Sequence, residues 1–198
     1  MSFPGTSDAT LQGLPARERI LVTAHELFYR AGIRSTGIDT VIERAQVTKV
    51  TFYRHFSSKN QLILAYLDYR HERWMRWFTA ALQRHGATLK ALVPTIAEWF
   101  RSPEYRGCAF INGVSEIAPA LPKVTEITRR HKADMQKAIA ALLPPGRNRD
   151  ALARSLALAV DGSIVQAQFR ADPEGVIKDL RRLVRLIAGQ RTHRQSSL

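Results

Sequence analysis

The sequence has little cysteine, no long apolar run and few acidic residues for its number of basic ones. Its single cysteine, Cys108, excludes an intrachain disulfide and a metal site built from several thiolates. No apolar segment approaches the roughly 18 residues that a membrane-spanning helix needs. Residues 1–14 also lack the basic stretch and apolar run of a signal peptide. The sequence therefore predicts a soluble protein of the reducing cytoplasm, with no membrane partner.

Motifs of catalysis are missing as well. The histidines form no HExxH pair, and there is no P-loop, nucleophile elbow or glycine-rich dinucleotide turn. His131 and Asp134 share a helix face, but the basic residues next to His131 favour a solvated face over a ligand pair. We therefore expect no enzyme, no metal and no organic cofactor.

Basic residues dominate the charge. Lys and Arg number 30 against 17 Asp and Glu, which gives a formal net charge of +13. Such an excess favours a polyanionic partner, either nucleic acid or an anionic membrane surface. Hydrophobic residues make up 45% of the chain, so a packed globular fold is expected rather than disorder.

Apolar residues recur at helical spacing from Pro15 to the C-terminus, which predicts an all-α protein. A small N-terminal helical unit should be followed by a larger C-terminal bundle. Ser58 and Gln61 form a predicted capping box, and Pro94 should kink its helix or mark its true start. The predicted helices are Arg17–Ala31, Ile38–Ala45, Thr48–Phe56, Ser58–Arg84, Thr88–Arg101, Cys108–Ala118, Pro122–Leu143, Arg149–Phe169 and Pro173–Ala188.

The third predicted helix has an apolar side and a polar, basic outer side. Phe52 and Phe56 are four residues apart, so they lie on one side and can fill a small core. Thr48 is a good N-cap and, at the end of the helix that points toward the DNA, a candidate DNA-binding residue. A turn of about 100° per residue brings the other side outward. That side carries Val50, Thr51, Tyr53 and Arg54, with Lys49 at its N-terminal edge.

These outer residues suit the major groove of DNA. Thr51 can hydrogen-bond a base edge or phosphate, and Val50 can touch a thymine methyl group. Donors and positive charges for phosphate oxygens are available from Tyr53, His55, Lys49, Arg54 and Lys59. The short apolar helix and tight turn before this helix predict a helix-turn-helix.

Residues Arg17–Lys59 resemble the DNA-binding domain of the tetracycline-repressor (TetR) family. The most specific part is Thr48-Lys49-Val50-Thr51-Phe52-Tyr53-Arg54-His55-Phe56, followed by Ser58-Lys59. The resemblance implies that Lys49, Val50, Thr51 and Tyr53 face the groove, and that Tyr53, His55 and Lys59 hold phosphates. The family generally has glycine where this chain has Gln46, and a smaller residue where it has Val50. A left-handed backbone at Gln46 would cost about 1 kcal/mol.

The resemblance also implies how the chain is divided. A three-helix DNA-binding domain would be joined by a long helix to a C-terminal ligand-binding and dimerisation bundle. We predict a flexible N-terminal arm over 1–14, the helix-turn-helix domain over 15–60, the effector-binding and dimerisation domain over 61–190, and a basic tail over 191–198.

The last two predicted helices offer a dimerisation face, and two such helices from each subunit could form a four-helix interface. The alternative is that both are core helices of a monomer. Asp161 should make a helix-packing hydrogen bond rather than bind a ligand. The predicted face carries Leu152, Leu156, Ala159, Gly162, Ser163 and Ala167 on one helix, and Val176, Leu180, Leu183 and Ile187 on the other.

The central helices are rich in aromatic residues, where relatives of this family commonly enclose an effector. The resemblance implies a small apolar or aromatic effector, although each candidate is also compatible with ordinary core packing. Cys108 could alternatively be a redox sensor. The candidate effector-binding residues are Trp77, Trp99, Cys108, Phe110, Asn112, Ser115 and Gln166.

The function expected from these features is that of a ligand-responsive repressor. It would bind a palindromic DNA operator as a homodimer and be released by its effector. An activator of the same fold and a non-sequence-specific architectural DNA-binding protein stay open as alternatives. A membrane-surface role would use the basic residues Arg181, Arg182, Arg185, Arg191 and Arg194.

Overall fold

The computed structural model describes residues 13–189, and these residues confirm the all-α prediction. The predicted basic tail, and the predicted N-terminal arm apart from residues 13 and 14, lie outside them. One short 3-10 turn, Leu89–Ala91, precedes α5. The helices are α1 (Ala16–Ala31), α2 (Ile38–Arg44), α3 (Lys49–His55), α4 (Lys59–Arg84), α5 (Leu92–Phe100), α6 (Ala109–Ile117), α7 (Lys123–Ala141), α8 (Arg149–Gln168) and α9 (Glu174–Gly189).

Local signals set several of the helix ends. Gly32 has a φ of 91°, and its N–H donates to the Phe28 carbonyl, so α1 stops there. The Thr48 hydroxyl accepts the Thr51 N–H at 3.1 Å and caps α3. Pro94 lies in the first turn of α5, which confirms that it marks the true start of that helix.

Of the two hydrogen bonds in the capping box predicted for α4, one forms as predicted and the other does not. The Gln61 N–H donates to Ser58 Oγ at 3.2 Å, as expected. The Gln61 side chain, however, accepts the N–H of Ser57 at 2.6 Å instead of that of Ser58. The Ser57 hydroxyl lies 3.1 Å from the same Gln61 oxygen and donates to it, which holds the amide over Ser57. The reciprocal bond is thus displaced by one residue.

The described residues form two compact units. The first contains 13–74 and 108–131, and the second contains 75–107 and 132–189, so α4 and α7 contribute to both. The core of the first unit joins the three N-terminal helices to the start of α4. Burying each such side chain contributes about 1.5–3 kcal/mol. Its members include Ile20, Phe28, Val41, Phe52, Phe56, Leu62 and Tyr66.

The second unit is built on α9, which packs against α8 and α5. The Tyr105 hydroxyl donates to the Ile164 carbonyl at 2.5 Å and ties the segment after α5 to α8. Lys132 Nζ donates to Asp161 Oδ1 at 2.5 Å. This bond between α7 and α8 confirms the helix-packing role predicted for Asp161.

The solvated position predicted for His131 is wrong. The side chain is 2% exposed, and its ring stacks on Phe110 with the ring centroids 3.7 Å apart. Of the basic neighbours that suggested solvent, Arg129 and Arg130 are exposed and Lys132 is half-buried, but His131 lies on the buried side of α7. A buried stripe at three- or four-residue spacing, Val124, Ile127, His131 and Met135, was the signal that could have placed it.

Candidate nucleic-acid interface

Helix α3 is anchored by its apolar side and presents the other side to solvent. Phe52 and Phe56 are 0% and 1% exposed, and their ring centroids lie 6.2 Å apart. Val50 is 70% exposed and Tyr53 is 44% exposed. The outward direction predicted for these two residues is confirmed. An apolar and an aromatic side chain are therefore exposed to solvent on a helix whose other side is packed into the core.

The N-terminal end of α3 is held by threonine hydroxyls. Thr51 is half-buried, and its hydroxyl lies 2.9 Å from that of Thr48. Because Thr48 also accepts the Thr51 N–H, the two residues order the first turn of the helix. The positive end of the helix dipole lies at this turn, which favours an anion there.

The turn between α2 and α3 contains a residue with a left-handed backbone, the conformation considered for Gln46 from the sequence. Gln46 has a φ of 52°. Arg19 of α1 stabilises the turn through two hydrogen bonds. Its Nε donates to the Ala45 carbonyl at 3.1 Å and its Nη2 to the Gln46 carbonyl at 3.3 Å. Arg19 was not predicted from the sequence, because its partners lie 26 and 27 residues away.

Cationic side chains surround the exposed face of α3. Lys49 Nζ lies 3.7 Å from Asp39 Oδ1, and both side chains are largely exposed. Arg54 is exposed, while His55 and Lys59 are half-buried. Burial lowers the pKa of Lys59 below its usual range, and the Glu116 carboxylate opposes that shift. Lys49, Arg54 and Lys59 supply positive charge near the ends of the exposed helix face.

A buried aromatic and cationic cluster joins α1 to α4. Arg70 is 1% exposed, and its Nη1 donates to His25 Nε2 at 3.1 Å. The guanidinium carbon lies 3.9 Å from the centroid of the Tyr29 ring, a cation–π contact. Burial, reinforced by Arg70 and Arg73, lowers the pKa of His25 from 6.5 to about 2. A neutral imidazole thus accepts a hydrogen bond inside the first unit.

Three candidate effector residues lie in the second unit. The ring centroids of Trp77 and Trp99 are 6.2 Å apart, and the Trp77 indole donates to Glu98 Oε1 at 3.2 Å. Burial acts to raise the pKa of Glu98, but hydrogen bonds from Trp77, His85 and Arg84 outweigh it and lower the pKa. Gln166 is exposed on α8, where its Oε1 accepts a bond from Arg170 at 3.3 Å.

The other four candidates lie in the first unit. Cys108 and Phe110 are buried, and Asn112 is half-buried. Ser115 is exposed, and its hydroxyl donates to the Ile111 carbonyl at 3.1 Å. The structure therefore pairs Trp77 with Trp99 and stacks Phe110 on His131, while Gln166 and Ser115 lie on the surface of their units. A common pocket for the seven residues stays a prediction.

A groove runs between α8 and α9. Leu158 and Leu183 line it and are 78% and 44% exposed. Gly162 also lines it, and the space where a Cβ would stand is open to 4 Å. Seven residues of the predicted dimerisation face line this groove, namely Ala159, Gly162, Ser163, Val176, Leu180, Leu183 and Ile187. Leu156 and Ala167 are buried in the core and do not line it, so these two positions of the predicted face are wrong.

Two absences hold for the part of the chain that the structure describes. No helix between residues 13 and 189 is long and apolar enough to cross a membrane. Within the same range, His, Cys, Asp and Glu side chains form no group of three or more that could hold a metal ion.

The chain was compared with known families and proteins. The family model for bacterial regulatory proteins of the tetR family matches residues 20–66. A TetR-family transcriptional regulator from Streptomyces coelicolor, known from its crystal structure, is 36% identical over 87% of this chain and 93% of its own, with a TM-score of 0.75. An uncharacterised HTH-type transcriptional regulator of Lactococcus lactis is 25% identical over 129 residues. That match covers 63% of this chain and 66% of the relative, just under two thirds of its length.

A further solved structure shares the fold. A cysteine mutant of the TetR-family regulator CifR was crystallised with 26-bp double-strand operator DNA. It is 18% identical, covers 85% of this chain and 95% of its own, and has a TM-score of 0.72.

An N-terminal helix-turn-helix followed by a helical C-terminal domain defines a class of DNA-binding transcriptional regulators. Within that class, the match to the Streptomyces regulator over nearly the whole of both chains is decisive. The chain belongs to the TetR family.

Proposed function

We propose that this protein is a ligand-responsive repressor that binds a palindromic operator as a homodimer. The observation that carries the proposal is the exposed face of α3, with Val50 and Tyr53 open to solvent on a helix anchored by two buried phenylalanines. A helix of this kind fits the major groove, where apolar and hydroxyl groups distinguish bases.

Phosphate contacts would fix the position of this helix on DNA. Lys49, Arg54, His55 and Lys59 lie at or beside α3 and can bind the backbone, while Thr51 and Tyr53 donate hydrogen bonds. Asp39 already pairs with Lys49 in the free protein. DNA would therefore compete with Asp39 for that lysine, a modest cost because both side chains are exposed.

Dimerisation is proposed through the groove between α8 and α9. A two-fold operator needs two α3 helices, and the groove combines exposed leucines with the open space at Gly162. CifR, which shares the fold, was crystallised with operator DNA, and this supports operator DNA as the partner of this chain. The effector is proposed to be a small apolar or aromatic molecule, consistent with the aromatic side chains of the buried Trp99 and Phe110. A regulator of bacterial DNA acts in the cytoplasm.

A gel-shift titration on DNA flanking the protein's own gene tests the proposal. The wild type should retard one fragment at nanomolar concentration in the presence of excess nonspecific competitor. Tyr53→Ala removes an exposed ring from the reading face, so specific retardation should weaken by about 1–3 kcal/mol per subunit. The dimer should persist. Arg76→Ala, at another exposed position outside α3, is the control and should bind as the wild type does.

Other outcomes decide against parts of the proposal. Equal binding by Tyr53→Ala and wild type would reject α3 as the reading helix. Retardation of every fragment alike, with a steep dependence on salt, would identify an architectural DNA-binding protein. A reporter under the retarded promoter separates repression from activation, because deleting the regulator raises expression in the first case and lowers it in the second.

A further inference from the structure

Glu116 reaches from α6 to the loop that joins α1 to α2. Its Oε2 accepts the backbone N–H of Ile33 at 2.7 Å and that of Arg34 at 3.1 Å. The two donors lie 83 and 82 residues away in sequence. One carboxylate oxygen thus satisfies two consecutive amides at the point where α1 has just ended.

The loop is otherwise held by its own groups. Gly32 takes a φ of 91°, and its N–H donates to the Phe28 carbonyl. The buried Thr36 hydroxyl donates to the Gly32 carbonyl at 2.8 Å. The next two amides, those of Ile33 and Arg34, donate to Glu116 instead. The loop leads directly into α2 at Ile38, so its position decides where α2 begins.

Helix α6 also packs closely on this loop. Gly113, one turn before Glu116, has its Cβ position 3.7 Å from Ile33 Cδ1 and 3.8 Å from Leu67 Cδ2. Ile33 itself is 2% exposed. A Cβ at Gly32 would lie 3.2 Å from Glu116 Oε2, so the carboxylate is seated tightly against the backbone. The apolar and the hydrogen-bonded contact come from the same face of α6.

We propose that Glu116 is a positioning residue for DNA binding. It fixes the loop after α1 and, through it, the start of α2, against which the reading helix α3 is packed. Hydrogen bonds to a charged acceptor are stronger than neutral ones, and losing this acceptor leaves the part-buried Ile33 donor unsatisfied and the exposed Arg34 donor to water. A loosened loop must then be ordered when DNA binds, which weakens affinity. This inference rests on the proposed function.

Two variants of the full-length protein test it by amide hydrogen exchange in the absence of DNA. Glu116→Ala removes the acceptor, so exchange at the Ile33 and Arg34 amides should accelerate by about tenfold or more. Glu116→Gln keeps one carbonyl oxygen and should restore most of the protection. Glu72→Ala, an exposed glutamate in the same unit, is the matched control and should leave both amides unchanged.

DNA affinity is measured on a fragment selected by the wild type from a random duplex library. Glu116→Ala should bind about tenfold more weakly, with Glu116→Gln within about threefold of the wild type. Unchanged exchange at Ile33 and Arg34, acceleration spread evenly over all helices, or unchanged DNA affinity would each overturn the positioning role. Because exchange is measured on the free protein, a wild type that selects no DNA rejects the proposed function and leaves the exchange result intact.

Discussion

Gln46 occupies a backbone conformation that costs an ordinary residue energy. Its φ of 52° lies in the left-handed region, and the hydrogen bonds from Arg19 are made to backbone carbonyls, which glycine would keep. Gln46→Gly should therefore raise the free energy of unfolding by about 1 kcal/mol. The melting temperature should rise by about 2–4 °C.

Ala87, with a φ of 50°, is the matched control for this substitution. Ala87→Gly should stabilise the protein by a similar amount, since it relieves the same conformation outside the helix-turn-helix. If Ala87→Gly stabilised the protein and Gln46→Gly did not, the Gln46 side chain would be making a contact whose free energy exceeds the strain of its backbone.

His25 makes stability depend on pH. Its pKa falls from 6.5 to about 2 in the folded chain. Between these two pH values the unfolded chain therefore binds a proton at His25 that the folded chain does not bind. Below pH 6.5 the free energy of unfolding should therefore fall as pH falls, by about 1.4 kcal/mol per pH unit from this residue. The contribution is constant above that pH. His25→Gln keeps an acceptor for Arg70 but cannot titrate, so chemical denaturation between about pH 6 and 4 should show a shallower decline. Parallel pH profiles for the two proteins would contradict this.

At the scale of helices, local signals specified the elements but not the contacts between them. Gly32, Thr48 and Pro94 act on their own backbone, so the sequence predicted the ends of α1, α3 and α5. Arg19 and Glu116 act across 26 to 83 residues. Charged residues on a helix surface give no local sign of a distant backbone partner, so both were missed.

The apolar faces of α8 and α9 show the same limit. Leucines at helical spacing indicate a buried face, but not whether the burial occurs within the chain or between chains. Leu156 proved to be internal, whereas Leu183 is exposed in the groove as predicted. The other large exposed apolar side chains here are Leu158 and Val165 on α8, Phe169 just after it and Leu186 on α9.

The groove on α8 and α9 gives a prediction about assembly. Leu158→Glu places a carboxylate on the most exposed leucine of the groove, so dimer formation should weaken by at least about a hundredfold. Sedimentation at micromolar concentration should then show monomers. Arg154→Glu, an exposed position on α8 outside the groove, should remain dimeric. A dimeric Leu158→Glu protein would move the interface elsewhere.

For the whole molecule, charge and shape have separate roles. The net charge of +13 attracts any duplex, and it includes residues far from α3. The exposed Val50 side chain has neither charge nor a hydrogen-bonding group, so it can contribute only where the base sequence fits. Affinity for DNA in general and preference for one operator should therefore respond to different substitutions.

Salt dependence separates these two roles. Lys59→Met removes one proposed phosphate contact per subunit, so the slope of log affinity against log salt should become less steep by about 1.8 for the dimer. Selectivity among sequences should persist. Val50→Ala should keep the slope and change which base is preferred at one position in each half-site. Lys90→Met, the same charge change at an exposed site outside the helix-turn-helix, should alter neither quantity. If Lys59→Met and Lys90→Met reduced the slope equally, the protein would be binding DNA through its overall charge rather than through α3.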